Sequence, residues 1–215
     1  MYSINAPRRR AQFLAGRWLV RRALVVRHGG VPCDWKLSAN RNAAPTILRG
    51  PVGCTDKIGL THSGDTVACV VSTCGLGIDL EGHDRRVLSV AELSDVVLTD
   101  AERKCWLESP SSWRQVEFLS QWTLKEAWFK LCRHGLGPAG FRGIEASLAV
   151  KNTANARQWR EPGFTLSLVG LRADVPLHIA TTAPASEALL WRVCDVDGES
   201  QRLYAPPAIC SVDGP

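Results

Sequence analysis

The stretch TVACVVSTCGLGIDLE, residues 66–81, constrains the fold more than any other part of the chain. Its first part, TVACVVS, is a β-branched apolar run of the kind found in a buried strand. The turn TCGL leads from it into a second strand, GIDLE. Alternate side chains of a strand face opposite ways, so Asp79 and Glu81 share one face while Ile78 and Leu80 take the other. The apolar pair anchors the strand in a core, and the two carboxylates stand together on the opposite face. Like charges this close are unfavourable unless they are solvated, protonated or bridged by a cation. An exposed strand edge would solvate them. With a third carboxylate from a helix, the pair would instead form the all-oxygen shell that Mg²⁺ prefers.

The neighbouring segments supply further elements. KIGLTHSGD, residues 57–65, reads as a short strand running into a polar turn, where Thr61, His62 and Ser63 offer hydroxyls and an imidazole before Gly64. Residues 10–27 read as a helix on which Arg10, Arg17 and Arg21 fall in a narrow sector between apolar groups. These arginines either snorkel from a half-buried helix or form a cationic stripe lining a cleft. Residues 29–56 look irregular, with a short strand around Thr46–Leu48. Thr99-Asp100-Ala101-Glu102 fits a capping box and starts a helix that Pro110 breaks. A longer helix is expected from Ser112 to Arg133, ended by His134-Gly135 and Gly137-Pro138. ASLAV, FTLSLVG, LHIATTA and ALLWRVC then read as strands. The order of a basic helix, strands, two helices and strands predicts an α+β (mixed α/β) fold with helices on largely antiparallel sheets.

Composition narrows the setting. At 215 residues and 45% hydrophobic the chain can bury a substantial core, in one domain or two small lobes. No run of eighteen apolar residues predicts a transmembrane helix, and the start MYSINAPRRR lacks the pattern of a secretory signal. A cytoplasmic protein is expected. The eight cysteines form no C-x-x-C pair and no zinc-ligand spacing with histidine, so free thiols are expected and the spacing supports no structural zinc site. The net charge of +5 is local: Arg8, Arg9, Arg10, Arg17, Arg21, Arg22 and Arg27 precede the first acidic residue. Such a patch suits an anionic partner or a solvated face. Nucleic acid is one candidate, although no nucleic-acid-binding motif accompanies the patch. A phosphorylated small molecule or an acidic protein fits equally.

WTLKEAWFK, residues 122–130, places Glu126 beside Lys125 and one helical turn before Lys130. This is either a surface pair worth about 0.2–0.5 kcal/mol or a carboxylate and an ammonium held in a site. GIDLE followed by WTLKEAWFK resembles the two-part signature of 4′-phosphopantetheinyl transferases, G-[IV]-D-x-E and W-[ST]-x-K-E-x-x-x-K. THSG and the FLAGR helix match further blocks of the single-chain Sfp-type branch better than those of the smaller trimeric branch. The resemblance covers residues 10–145, and the later strands by order alone.

The resemblance implies a fold of two similar lobes related by a pseudo-twofold, with coenzyme A in the cleft between them. Residues 1–75 would form an N-terminal lobe, 76–198 a C-terminal lobe and 199–215 a loosely ordered tail. The implied activity is Mg²⁺-dependent (or Mn²⁺-dependent) transfer of the 4′-phosphopantetheine arm of coenzyme A to a serine of an apo acyl or peptidyl carrier protein. The products are holo-carrier and adenosine 3′,5′-bisphosphate. Asp79, Glu81 and Glu126 resemble the metal ligands, and Glu126 also resembles the proposed base for the serine hydroxyl. Lys130 resembles the lysine on the diphosphate, with Lys125 assisting, and Thr61 and His62 resemble the pair on the 3′-phosphate. Arg10, Arg17 and Arg21 form a further anion site in this reading. A monomer acting without nucleic acid or membrane, in secondary metabolism, is expected.

Two departures from the family pattern stand out. Ala43-Ala44-Pro45 occupies the place of a Gly-Lys-Pro or Gly-Arg-Pro turn, with Arg41 and Arg49 nearby, and the N-terminal lobe is shortened. A non-catalytic binder of coenzyme A or carrier protein is the alternative reading. A basic nucleic-acid-binding protein leaves both motifs unexplained.

Overall fold

A computed structural model of the chain describes residues 7–39, 44–51, 53–84, 90–132, 140–143, 155–161, 163–170, 177–181, 190–194 and 200–204. The fold is α+β, with helices against small antiparallel sheets. It divides into two compact units. One comprises residues 1–60, 65–73 and 176–215, the other residues 61–64 and 74–175.

The first unit opens with α1 (Pro7–His28). A 3₁₀ turn (Pro32–Asp34), β1 (Lys36–Leu37), β2 (Ile47–Arg49), β3 (Lys57–Ser63), whose Thr61–Ser63 end belongs to the second unit, and β4 (Thr66–Ser72) follow. Leu19, Val20, Ala23 and Leu24 of α1 are wholly buried against Trp35, Leu37, Ile58 and the Val67–Cys69–Val71 side of β4. Because α1 buries this face, its arginines do not behave alike. Arg10 is exposed. Arg17, only 7% exposed, donates to the Ser38 carbonyl and sits over the Phe13 ring at 4.7 Å. Arg21 donates to the Trp35 carbonyl at 2.9 Å. Burial lowers the pKa of both guanidiniums, and at Arg17 the neighbouring Arg21 adds to the effect. Arg17 and Arg21 therefore reach backbone carbonyls of the first unit. They turn inward and tie the irregular segment after α1 to the helix through its backbone oxygens.

The sheet built on β4 runs β10-β9-β8-β4-β3, with β8 (Leu177–Thr181), β9 (Leu190–Cys194) and β10 (Ser200–Tyr204). β8 lies antiparallel to β4, from Thr66 opposite Thr181 to Val70 opposite Leu177. The last three strands group with the first unit, and β10 stands at the edge of its sheet. Residues 205–215 lie outside the described residues. Apolar strands of similar composition do not reveal which sheet they join; pairing decides it.

The second unit contains β5 (Leu76–Gly82), α2 (Val90–Val97), α3 (Asp100–Glu108), α4 (Arg114–Cys132), a 3₁₀ turn (Gly140–Gly143), β6 (Asn155–Glu161) and β7 (Phe164–Gly170). β7 is the centre of an antiparallel sheet ordered β5-β7-β6. Asp79 faces Ser167 and Glu81 faces Thr165 across the ladder, so these four side chains share one face. Ile78, Leu80, Leu166 and Leu168 are buried on the other. α4 crosses the polar face, where Thr123 and Ser167 join their hydroxyls at 2.8 Å. The closest approach is at Gly77. A Cβ there would stand 1.8 Å from the Ala127 carbonyl oxygen and 2.7 Å from the Leu131 nitrogen.

α3 begins as the sequence predicts. Thr99 accepts from Glu102 N–H at 3.2 Å, and Glu102 accepts from Thr99 N–H at 2.8 Å. α2 and β6 were not anticipated. β6 is an edge strand with Arg and Glu along it, as edges commonly are, and it lacks the apolar alternation that marks a half-buried strand. The expected strand ASLAV and the stop at His134–Pro138 lie outside the described residues.

The Gly77 contact gives a direct test. Gly77→Ala forces helix backbone away from strand backbone and is expected to cost about 3 kcal/mol, the upper end of ordinary overpacking penalties. Gly53→Ala, where nothing stands within 4 Å of the added carbon, is expected to be near neutral. Urea unfolding of both variants measures the difference.

Candidate active site

The face of β5 beneath α4 carries the two motif carboxylates, and both are buried: Asp79 is 6% and Glu81 8% exposed. Their partners come from β3, whose alternation sends Thr61 and Ser63 one way and His62 the other. Thr61 donates to Asp79 Oδ1 at 3.2 Å, and Ser63 donates to Glu81 Oε2 at 2.9 Å. Ser63 also accepts the Gly82 N–H at 3.0 Å. His62 is exposed. Thr61, expected beside His62 on a phosphate, is thus engaged with Asp79.

Lys130 completes the group. Its ammonium lies 2.5 Å from Asp79 Oδ1 and 3.3 Å from the Ile78 carbonyl oxygen, while its side chain keeps 39% exposure. Glu126, one turn earlier on α4, is half-buried. Asp79 Oδ2 is buried with no hydrogen-bond partner. Burial pushes the Asp79 carboxyl above its ordinary range, although Lys130, Thr61 and the Leu80 N–H all act to lower it. The site therefore holds a carboxylate that its surroundings do not fully compensate. Asp79 and Glu81 stand on one strand face and Lys130 reaches them. The three carboxylates of Asp79, Glu81 and Glu126 do not gather within 4.8 Å of one another.

Lys125 takes a different place from the one expected. About 200° round the helix from Thr123, it points to the opposite side of α4 and is wholly buried. Its ammonium donates to Glu102 Oε2 at 2.6 Å, the Val97 carbonyl at 2.7 Å and the Phe141 carbonyl at 3.2 Å. Three donors meet three oxygens, and the same Glu102 oxygen caps α3. Phe118, Trp122, Phe141 and Phe129 form a chain of ring contacts in the same unit, with successive centroids 5.7 to 6.3 Å apart. Lys125 thus ties α4 to α2, α3 and the Gly140–Gly143 turn.

Ser63, noted in the sequence only as a hydroxyl of the THSG turn, is the residue whose pairing with Glu81 was not assigned. Its i,i+2 relation to Thr61, matching that of Glu81 to Asp79, was the available signal. His83 was also missed. Its ring nitrogen lies 2.9 Å from Thr165 Oγ1, its N–H donates to Gly163, and its carbonyl accepts from Gln115 of α4. Burial, with Arg160 nearby, lowers its pKa. It pins the end of β5 to β7 and to the start of α4.

With this geometry in place, comparison with known proteins identifies the class. Residues 75–180 match the family model of the 4′-phosphopantetheinyl transferase superfamily, and this span is a domain of that superfamily. It contains β5, α4 and both motifs. The superfamily moves phosphopantetheine from coenzyme A to carrier proteins with a divalent metal. No curated protein matches the chain. Among the described residues, no helix is long and apolar enough to cross a membrane.

The two lysines predict opposite outcomes. Lys125→Met strands the buried Glu102 carboxylate and is expected to cost about 3–5 kcal/mol, a fall on the order of 10 °C in Tm for a chain this size. Asp79→Asn removes a carboxylate whose burial outweighs its partners, and the half-exposed Lys130 can hydrate. In metal-free buffer it is expected to unfold at or above the wild-type temperature. The sign follows from linkage. A carboxyl raised in the folded state binds its proton more tightly than in the unfolded chain, so its contribution to stability falls as pH rises from about 3.8 through the raised value. Thermal scans across that range should show the fall in wild type and a flatter profile in Asp79→Asn.

Proposed function

We propose that this protein is a 4′-phosphopantetheinyl transferase of the single-chain Sfp type. In this reading it modifies a serine of an apo acyl or peptidyl carrier protein with the 4′-phosphopantetheine arm of coenzyme A. The observation that carries the reading is the unpartnered, buried Asp79 oxygen beside the Lys130 ammonium, inside the matched superfamily domain. A hard divalent cation takes oxygen donors, and Asp79 Oδ2 is a buried oxygen with nothing else to accept. Asp79 and Glu81, steadied by Thr61 and Ser63, would hold Mg²⁺, with Glu126 as the third ligand from α4. When bound, Mg²⁺ supplies positive charge to the diphosphate oxygens.

The chain's own groups account for the remaining needs of the reaction. The carrier serine displaces adenosine 3′,5′-bisphosphate at the pantetheine-bearing phosphorus of coenzyme A. One phosphorus–oxygen bond forms, the diphosphate linkage breaks, and the serine gives up its proton. Glu126, half-buried yet open to solvent, orients that hydroxyl and receives its proton directly or through water. Lys130, tethered by Asp79 but still accessible, presents its ammonium to the leaving phosphate. His62, exposed on the far side of β3 from the carboxylates, is the residue offered to the 3′-phosphate. Arg17 and Arg21 hold backbone carbonyls and act on coenzyme A only through the shape of α1.

The separation of the three carboxylates favours one alternative, a non-catalytic binder of coenzyme A. Incubation with coenzyme A, Mg²⁺ and a panel of fatty-acid, polyketide and nonribosomal-peptide apo carriers decides between the two. A carrier mass raised by one phosphopantetheine is expected, with activity down at least about 100-fold in Glu126→Ala and Asp79→Ala. Tight coenzyme A binding with unmodified carriers would establish the binder. Full activity in either variant would overturn the site.

A further inference from the structure

The strongest feature outside the motif face lies in the first unit, at the end of α1. His28 is its last residue, and the chain returns to it after the 3₁₀ turn and the β1–β2 pair, in the segment leading into β3. Cys54 and Asp56 stand there. One ring nitrogen, His28 Nε2, lies 3.6 Å from Cys54 Sγ and 2.5 Å from Asp56 Oδ2. The three ligand-type atoms all fall within 4.8 Å of one another, and this is the grouping of its kind among the described residues.

The arrangement is not that of a nucleophile relay. A Cys–His–Asp triad uses the two imidazole nitrogens separately, one for the sulfur and one for the carboxylate. Here both contacts converge on the same nitrogen. Convergence of three donor types on one point is what coordination requires. For zinc, Zn–S of about 2.3 Å and Zn–N of about 2.0–2.1 Å at a tetrahedral angle give an N···S edge of about 3.5–3.6 Å. The Cys54–His28 separation of 3.6 Å already meets it.

Asp56 supplies a second, independent observation. Its side chain is only 1% exposed, and its Oδ1 is buried with no hydrogen-bond partner. Oδ2 is occupied by Arg27 at 3.0 Å and by His28. The carboxylate is thus fixed through one oxygen while the other is left without a partner, as an outer-sphere hydrogen bond fixes a ligating carboxylate. The His28 ring is further held against Trp35, with centroids 5.6 Å apart.

We propose that His28, Cys54 and Asp56 form a zinc-class divalent transition-metal site, with the fourth position open to water. Thiolate, imidazole and carboxylate together select zinc-like ions over Mg²⁺ or Ca²⁺. Binding releases the Cys54 thiol proton as the metal–sulfur bond forms, and His28 ligates through Nε2 as the tautomer with its proton on Nδ1, giving up the hydrogen bond to Asp56. The site closes the chain between residues 28 and 54 onto the end of α1. Its role is a metal staple for the first unit, distinct from the Mg²⁺ chemistry proposed for Asp79. Linear spacing conceals it, because His28 stands 26 residues from Cys54 and no motif links them.

Full-length protein, reduced and stripped with chelator, is titrated with Zn²⁺ and separately with Co²⁺. One equivalent bound is expected, with a thiolate-to-cobalt charge-transfer band and a Tm raised by Zn²⁺. Cys54→Ser should abolish the band, and His28→Gln and Asp56→Asn should each weaken Zn²⁺ binding roughly tenfold or more. Asp79→Ala should leave uptake intact. Any variant that fails to fold is identified by its circular dichroism, and the remaining two then decide the outcome. Absence of stoichiometric uptake by the wild type, or a charge-transfer band that persists in Cys54→Ser, would overturn the proposal.

Discussion

The contact on which the second unit depends is the meeting of two backbones at Gly77. Strand and helix come so near that a methyl group would overlap the Ala127 carbonyl. That closeness sets the depth at which α4 lies on the sheet. It brings Lys130 within 2.5 Å of Asp79, Thr123 onto Ser167, and seals the polar face of β5 and β7 under a helix. A larger residue would lift α4, lengthening the Lys130–Asp79 contact and admitting water to the carboxylates. Glycine here answers a need for close approach rather than for unusual dihedrals.

The same helix carries two lysines in opposite electrostatic settings. Lys125 is surrounded by three oxygens, and its charge is fully met. Asp79, across the helix, is not: one oxygen has two donors and the other none. A protein that needed only stability would resolve the second case as it resolves the first. Leaving it unresolved is a pattern of functional sites, where a group is held ready for a ligand at a cost in folding free energy.

Much of this was legible in the sequence because it is local. A β-branched run marked β4, the T-D-A-E capping box marked the start of α3, and period-two alternation put Asp79 and Glu81 on one face. Several features were not legible, each because a partner distant in sequence decides it. β6 is a strand by virtue of pairing with β7, and β8 to β10 belong to the first unit because β4 accepts β8 as its neighbour. From spacing alone Arg17 and Arg21 read either as snorkelling side chains or as a cationic stripe. The carbonyls of Trp35 and Ser38, folded back over α1, turned them into internal braces.

The sequence by itself determined the alphabet of the site: two carboxylates at i,i+2 on a strand, two hydroxyls at i,i+2 on another, and a glutamate and lysine one turn apart on a helix. Alternation and helical period fix those relations within each element. Only the tertiary structure decided which groups meet. Lys130 rather than Lys125 reaches Asp79, Thr61 rather than His62 supports it, and His28 joins Cys54 and Asp56 from across the first unit. Hydrogen bonds and ion pairs act over a few ångströms, so such choices depend on packing depth and strand pairing, which no stretch of sequence carries alone.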